Sequence, residues 1–218
     1  MIQTRQPTIP ELLIQHVPRN LVMGTEDAFE VGALRAYLAT KDMDDNHRKN
    51  ALGQMRAFHM NEFFEETLRA ADAVHTPLKG NGVVLGHAGI FKFGRVNMSS
   101  TLWNNVRRGA IRRQLAEANQ AMTQLVQPSL FAPEPITSGT FFFVACFSGS
   151  LTQQPEKPLE IHIAVPDSEM KGWLFREPLS KFLARYDEAP QQVDLAMPKL
   201  KTGLLETGLL ETGQDTES

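Results

Sequence analysis

One cysteine, Cys146, stands in a chain of 218 residues. A lone cysteine excludes an intrachain disulfide, and it excludes zinc sites built from two or more thiolates. Long apolar runs are also missing. The longest, Phe141 to Phe147, is seven residues, far short of the roughly 18 that span a bilayer. Met1 to Thr8 is polar and has no apolar core of a secretory signal. These absences predict a soluble cytoplasmic protein without membrane contact. No P-loop lysine motif, HExxH, nucleophile elbow, zinc finger, RNP or helix-turn-helix signature occurs. No cofactor and no metal are therefore expected. What remains is ordinary in bulk: 42% hydrophobic and 22% charged residues, which excludes a wholly disordered or fibrous chain.

One further absence is local. Residues 73–116 contain no aspartate or glutamate, yet they carry Lys79, Lys92, Arg95, Arg107, Arg108, Arg112 and Arg113, a net charge of +7. Residues 1–72 sum to −3, residues 117–200 to −4 and residues 201–218 to −3. The overall charge of −3 hides this basic stretch. Charge of this kind argues about partners, not about fold.

The first third reads helical. Thr25 can cap a helix through Phe29, Val31, Leu34 and Tyr37, with Glu26 and Asp27 in its first turn. A longer helix is predicted over 44–73, with Leu52, Met55, His59, Phe63 and Thr67 at helical steps. The period then changes. Val83-Val84-Leu85 and Ile90 to Val96 read as a hairpin around Gly86-His87-Ala88-Gly89. Ser99, Ser100 or Thr101 can cap a helix over 100–125. Thr140 to Phe147 is apolar on both alternating faces, the mark of a strand covered on both sides. Leu159 to Val165 alternates, with Leu159, Ile161, Ile163 and Val165 facing the core. Asp167 or Ser168 then caps an amphipathic helical segment over 169–186.

The fold class expected is α+β. A helical N-terminal part, 1–75, packs on a small, mostly antiparallel sheet within an α+β part, 76–200. Thr202-Gly203-Leu204-Leu205-Glu206 repeats as Thr207-Gly208-Leu209-Leu210-Glu211. Two short glycine-rich copies cannot bury a face, so 201–218 is expected to be a disordered acidic tail.

Phosphate binding needs positive charge, N–H donors and preferably a helix N-terminus. Arg95, Ser99 and Ser100, followed by Arg107, Arg108 and Arg112, offer these together. Arginine pairs suit bidentate phosphate contact. Trp103 and Phe91 can add stacking, although both sit in apolar patterns. The blander reading pairs these arginines with acids inside the fold. A basic face can equally meet an acidic protein partner in an adaptor or assembly role.

Catalytic constellations are incomplete. Pro166-Asp167-Ser168-Glu169-Met170-Lys171 resembles a nuclease pattern only superficially. Its aspartate and acid-x-lysine fall together at an apparent helix start instead of on two strands. Glu160 and His162 share one strand face and are the other candidates for a metal-dependent nuclease. Asp42, Asp44 and Asn46 match early calcium-loop positions, but His47 and Gly53 fill the places of the required glycine and glutamate. Cys146 reads as a core thiol and His59 as a satisfied histidine. His87 is the histidine expected at the surface. The reading that absorbs most of these features is a nucleic-acid-associated protein holding a nucleic acid or other polyanion.

Overall fold

The computed structural model describes residues 6–80, 82–103, 107, 109–126, 135–148 and 154–188. Six strands form one sheet in chain order: β1 (Val74–His75), β2 (Leu85–Ala88), β3 (Phe91–Ser99), β4 (Gly139–Phe147), β5 (Glu160–Pro166) and β6 (Trp173–Pro178). Neighbours are antiparallel except β3 and β4, which run parallel from Phe91↔Gly139 to Ser99↔Phe147. The helices are α1 (Ile9–His16), α2 (Arg19–Thr40), α3 (Asp45–Ala70), α4 (Ala110–Ala116), α5 (Gln120–Val126) and α6 (Leu179–Glu188). The fold is α+β, with an N-terminal helical part on a mostly antiparallel sheet. The chain divides after Glu188, and the unit Ala189–Ser218, with the duplicated TGLLE segment, lies outside the described residues.

Every residue of β4 is buried, as its two-sided apolar pattern predicts. Alternation splits its side chains between two cores. Phe141, Phe143, Ala145 and Phe147 join Phe91 and Phe93 of β3 and Ile161, Ile163 and Val165 of β5 under α1, α2, α3 and α6. The rings of Phe93 and Phe141 stack at 4.8 Å, and Phe143 meets Phe64 at 6.1 Å and Phe29 at 6.4 Å. Each buried phenylalanine contributes about 2 kcal/mol. Phe142, Val144 and Cys146 point to the opposite face, with Val96, Met98, Ala164, Met170 and Ala116.

Boundaries shift where the chain gave competing signals. α1 is an extra helix, set by a capping box between Thr8 and Glu11 with Pro10 in its first turn. α2 begins six residues before Thr25, whose hydroxyl donates to the Leu21 carbonyl instead of capping. α3 starts as predicted, after Asp44, whose side chain accepts from the Asn46 amide. The hairpin turn is Gly89-Ile90, and Gly86 and His87 belong to β2. Gly89 has φ +54, the sign that the first position of a II′ turn requires.

Of the helix predicted over 100–125, Trp103 and Arg107 are in 3-10 conformation, and the α-helical part among the described residues begins at Ala110 and is broken into α4, a 3-10 turn Glu117–Asn119 and α5. β3 pairs with β4 as far as Ser99, and the Ser100 amide still donates to Phe147, so no helix can begin there. The segment after Asp167 is half strand. Asp167 accepts from the Glu169 and Lys171 amides in a turn, then β6 follows and α6 begins only after Pro178. Leu159 is exposed and lies outside β5.

α2 and α3 approach closely at Gly32, where a Cβ would lie 2.9 Å from both the Cα and the backbone nitrogen of Met60. Replacing a helical glycine by alanine usually stabilises by up to about 1 kcal/mol. Here backbone must move, so Gly32→Ala is expected to destabilise by about 1–3 kcal/mol, read as a lower urea midpoint.

Glu177 is buried beneath α6 and takes two hydrogen bonds from Arg185, at 2.7 and 3.0 Å, beside Lys181. The Arg185 contacts hold its carboxyl below the usual range against the opposing effect of burial. A depressed carboxylate stabilises the fold above its unfolded pKa of about 4.3 and loses that contribution as pH falls through the lower, folded value. Glu177→Gln is expected to cost about 2 kcal/mol near neutrality and to lose less further stability on acidification, measured by denaturation across the acid range.

Candidate functional site

Strand parity decides where the basic residues of 73–116 go. Arg95 shares the parity of Phe91 and Phe93 and therefore turns inward, under α3. It is only 8% exposed. Its Nε donates to Asn61 at 2.7 Å, Nη1 donates to Asn97 at 3.0 Å and Nη2 donates to the Ala57 carbonyl. Burial, reinforced by Arg112, pushes its pKa down to about 9, so it stays charged at neutral pH. Arg95 fastens α3 to β3 and does not face solvent. The signal was present in the sequence as the alternation Phe91, Phe93, Arg95.

Lys92 has the other parity. It is exposed opposite the exposed His87 on the α4 side of the sheet. Arg107 and Arg113 are exposed, and Arg112 is half-buried with its pKa lowered by burial. Arg108 lies outside the described residues. Ser99, the last residue of β3, is half-buried, and Ser100 is exposed in the turn that follows, where the Ser99 hydroxyl meets that of Thr101 at 3.0 Å. They do not cap α4, which starts after Gly109 and has no side-chain cap.

Among the described residues, the lysine and arginine ion pairs fall elsewhere. They join Arg19 to Asp187, Arg35 and His59 to Glu62, Arg69 and His75 to Glu65, and Lys157 to Glu30. Toward the C-terminal end, Lys171 pairs with Glu169, and Lys181 and Arg185 with Glu177. Among the described residues, Lys79, Lys92, Arg107 and Arg113 have no carboxylate partner. The acids among the described residues pair with cations outside these four and leave Lys79, Lys92, Arg107 and Arg113 without a neutralising carboxylate.

Beyond α4, the same sheet face carries an aromatic cluster. The ring of Trp103 meets His162 at 5.0 Å and Trp173 at 5.4 Å, edge to face. The Arg176 guanidinium lies over Trp103 at 4.9 Å. His162 is nearly buried. Its Nε2 is 2.9 Å from Glu160, while its Nδ1 is buried without a partner. Phe91, by contrast, is core.

Glu160 and His162 therefore touch, as their shared strand face predicts. Asp167 does not join them, since its side chain holds the following turn. Among the described residues no group of three His, Cys, Asp or Glu is placed to hold a metal ion. Cys146 is buried, and burial with nearby Glu160 pushes its thiol up to about 11, against the opposing pull of Arg176. It is not a thiolate nucleophile at neutral pH.

Asn119 clamps the α4 layer to the sheet. Its side-chain amide donates to the Thr140 and Pro166 carbonyls at 2.9 and 2.8 Å, and its oxygen accepts from the Thr140 amide at 2.6 Å. The Thr140 hydroxyl donates to Leu115 of α4 at 2.7 Å.

The chain matches no protein-family model, no curated protein and no solved structure. Among the described residues, no helix is long and apolar enough to cross a membrane.

Removing the Asn119 clamp leaves buried backbone groups unpaired, at about 1–3 kcal/mol for each. Asn119→Ala is expected to destabilise by at least about 3 kcal/mol, seen in denaturant melts, and to speed hydrogen exchange across α4 before α2 and α3.

Proposed function

We propose that this protein is a cytoplasmic nucleic-acid-binding protein that holds phosphates on the α4 face of its sheet. The observation that carries this reading is the uncompensated charge. Lys92, Arg107 and Arg113 reach solvent without a carboxylate among the described residues, although acids outnumber bases in the chain as a whole. A fold that needed these cations only for internal pairing would have placed acids beside them. Among the described residues, Lys92 and α4 stand on one side of the sheet and the helical layer covers the other, so a polyanion meets Lys92 from the α4 side. Arg95 supports the framework of this face from within, and Arg112 adds positive potential from its half-buried position.

The other functions foreseen from sequence have less support. Metal-dependent cleavage gains no third ligand for Glu160 and His162 among the described residues. An acidic protein partner would use the same cations, since guanidinium forks suit carboxylates as well as phosphates, and titration with oligonucleotides separates the two.

Binding is expected to weaken steeply with salt, because each neutralised phosphate releases counterions. A fluorescence-anisotropy titration with labelled oligonucleotides across a range of salt checks this. In a Lys92→Ala/Arg107→Ala/Arg113→Ala variant, the slope of log K against log salt is expected to fall by roughly 2 to 3. Absence of binding at low salt, or an unchanged slope in the variant, removes the proposal.

A further inference from the structure

We propose that the strand bound on this face is single-stranded, with an unpaired base stacking on the Arg176–Trp103 pair. This inference rests on the nucleic-acid reading above and narrows it to one class of ligand.

Three features converge. Trp103 and Trp173 are the only tryptophans in the chain, and both are half-buried on the outer face, not in the phenylalanine core. Arg176 is exposed on β6, and its guanidinium carbon lies over the Trp103 ring, 4.9 Å from the centroid. Among the described residues it makes no ion pair or hydrogen bond. An exposed guanidinium held near an indole by cation–π attraction offers a cationic, partly aromatic surface on which a flat ligand can stack. Below it, His162 keeps a buried Nδ1 without a partner, so the base of the cluster has unspent hydrogen-bonding capacity.

Stacking decides the strandedness. In a duplex each base is covered by its neighbours and presents only its edges. Only an unpaired base can lie flat on an aromatic ring or guanidinium plane. A cationic track for the backbone beside an aromatic platform is the combination that single-strand binders use. Lys92 and the α4 arginines share the sheet face with this platform, so one strand can meet both. A ligand that needed charge alone would leave the two tryptophans unexplained.

The two tryptophans make the test direct, because both report from the proposed platform. The full chain is titrated with oligo-dT, oligo-rU and a hairpin duplex of equal phosphate number, following intrinsic fluorescence and anisotropy. Either single strand is expected to bind about tenfold more tightly than the duplex and to quench tryptophan emission. Arg176→Lys keeps the charge and removes the plane. It is expected to weaken single-strand binding about fivefold to tenfold and leave duplex binding unchanged, with circular dichroism confirming the fold. Equal affinity for strand and duplex without quenching overturns the inference while leaving the nucleic-acid reading intact, as does unchanged single-strand affinity in Arg176→Lys. Failure of all three ligands to bind overturns both.

Discussion

The parallel pairing of β3 with β4 is the constraint on which the other features depend. Parallel neighbours cannot be joined by a tight turn, so the chain must cross from the end of β3 at Ser99 back to the start of β4 at Gly139. Part of that crossover, α4, lies on the face opposite α2 and α3. One strand pair thus turns a two-layer arrangement into a sheet with a helical layer on one side and a thinner layer on the other. The thinner layer carries Arg107, Arg112 and Arg113, and the segment before α4 carries Trp103.

The same pairing explains why β4 is so apolar. With helices above and the crossover below, neither of its faces meets water, and its nine residues are all buried. Its phenylalanines divide by parity, Phe141 and Phe143 toward the helices and Phe142 toward the crossover. Asn119 completes the arrangement by bonding backbone groups of β4 and β5 together. A polar side chain fully buried at that junction is stable because its oxygen and its amide group both have partners.

Charge partition is the second consequence. The helical layer and the β6–α6 unit settle their own charges in ion pairs, many between residues close in sequence. The basic stretch spans strand and crossover, and among the described residues Lys92, Arg107 and Arg113 are not placed beside acids. Arg95 was drawn inward because it follows Phe91 and Phe93 on the buried face, where amide oxygens of Asn61, Asn97 and Ala57 receive it. Lys92, one position out of phase, stays in water. A run that looks uniform in sequence is therefore split into a structural cation and surface cations.

The α+β class, the helix after Asp44, the two-sided burial of β4 and the alternation of β5 were all legible in the residues, because period and capping are local properties. The acid-free stretch was equally plain, since counting needs no geometry. Some misses had local signals that were outweighed. Thr8 and Glu11 box the start of α1, and Pro178 separates β6 from α6. Other features had no local signal. That Ser99 remains in a strand follows from β4, forty residues on, occupying its hydrogen-bonding groups. That Arg176 lies on Trp103, and Trp103 against His162, follows from the order of strands in the sheet. Sequence by itself determined which segments are apolar and where charge accumulates. Only the tertiary structure decided which cations find carboxylates and which aromatics meet, because those outcomes depend on long-range strand pairing that no local pattern encodes.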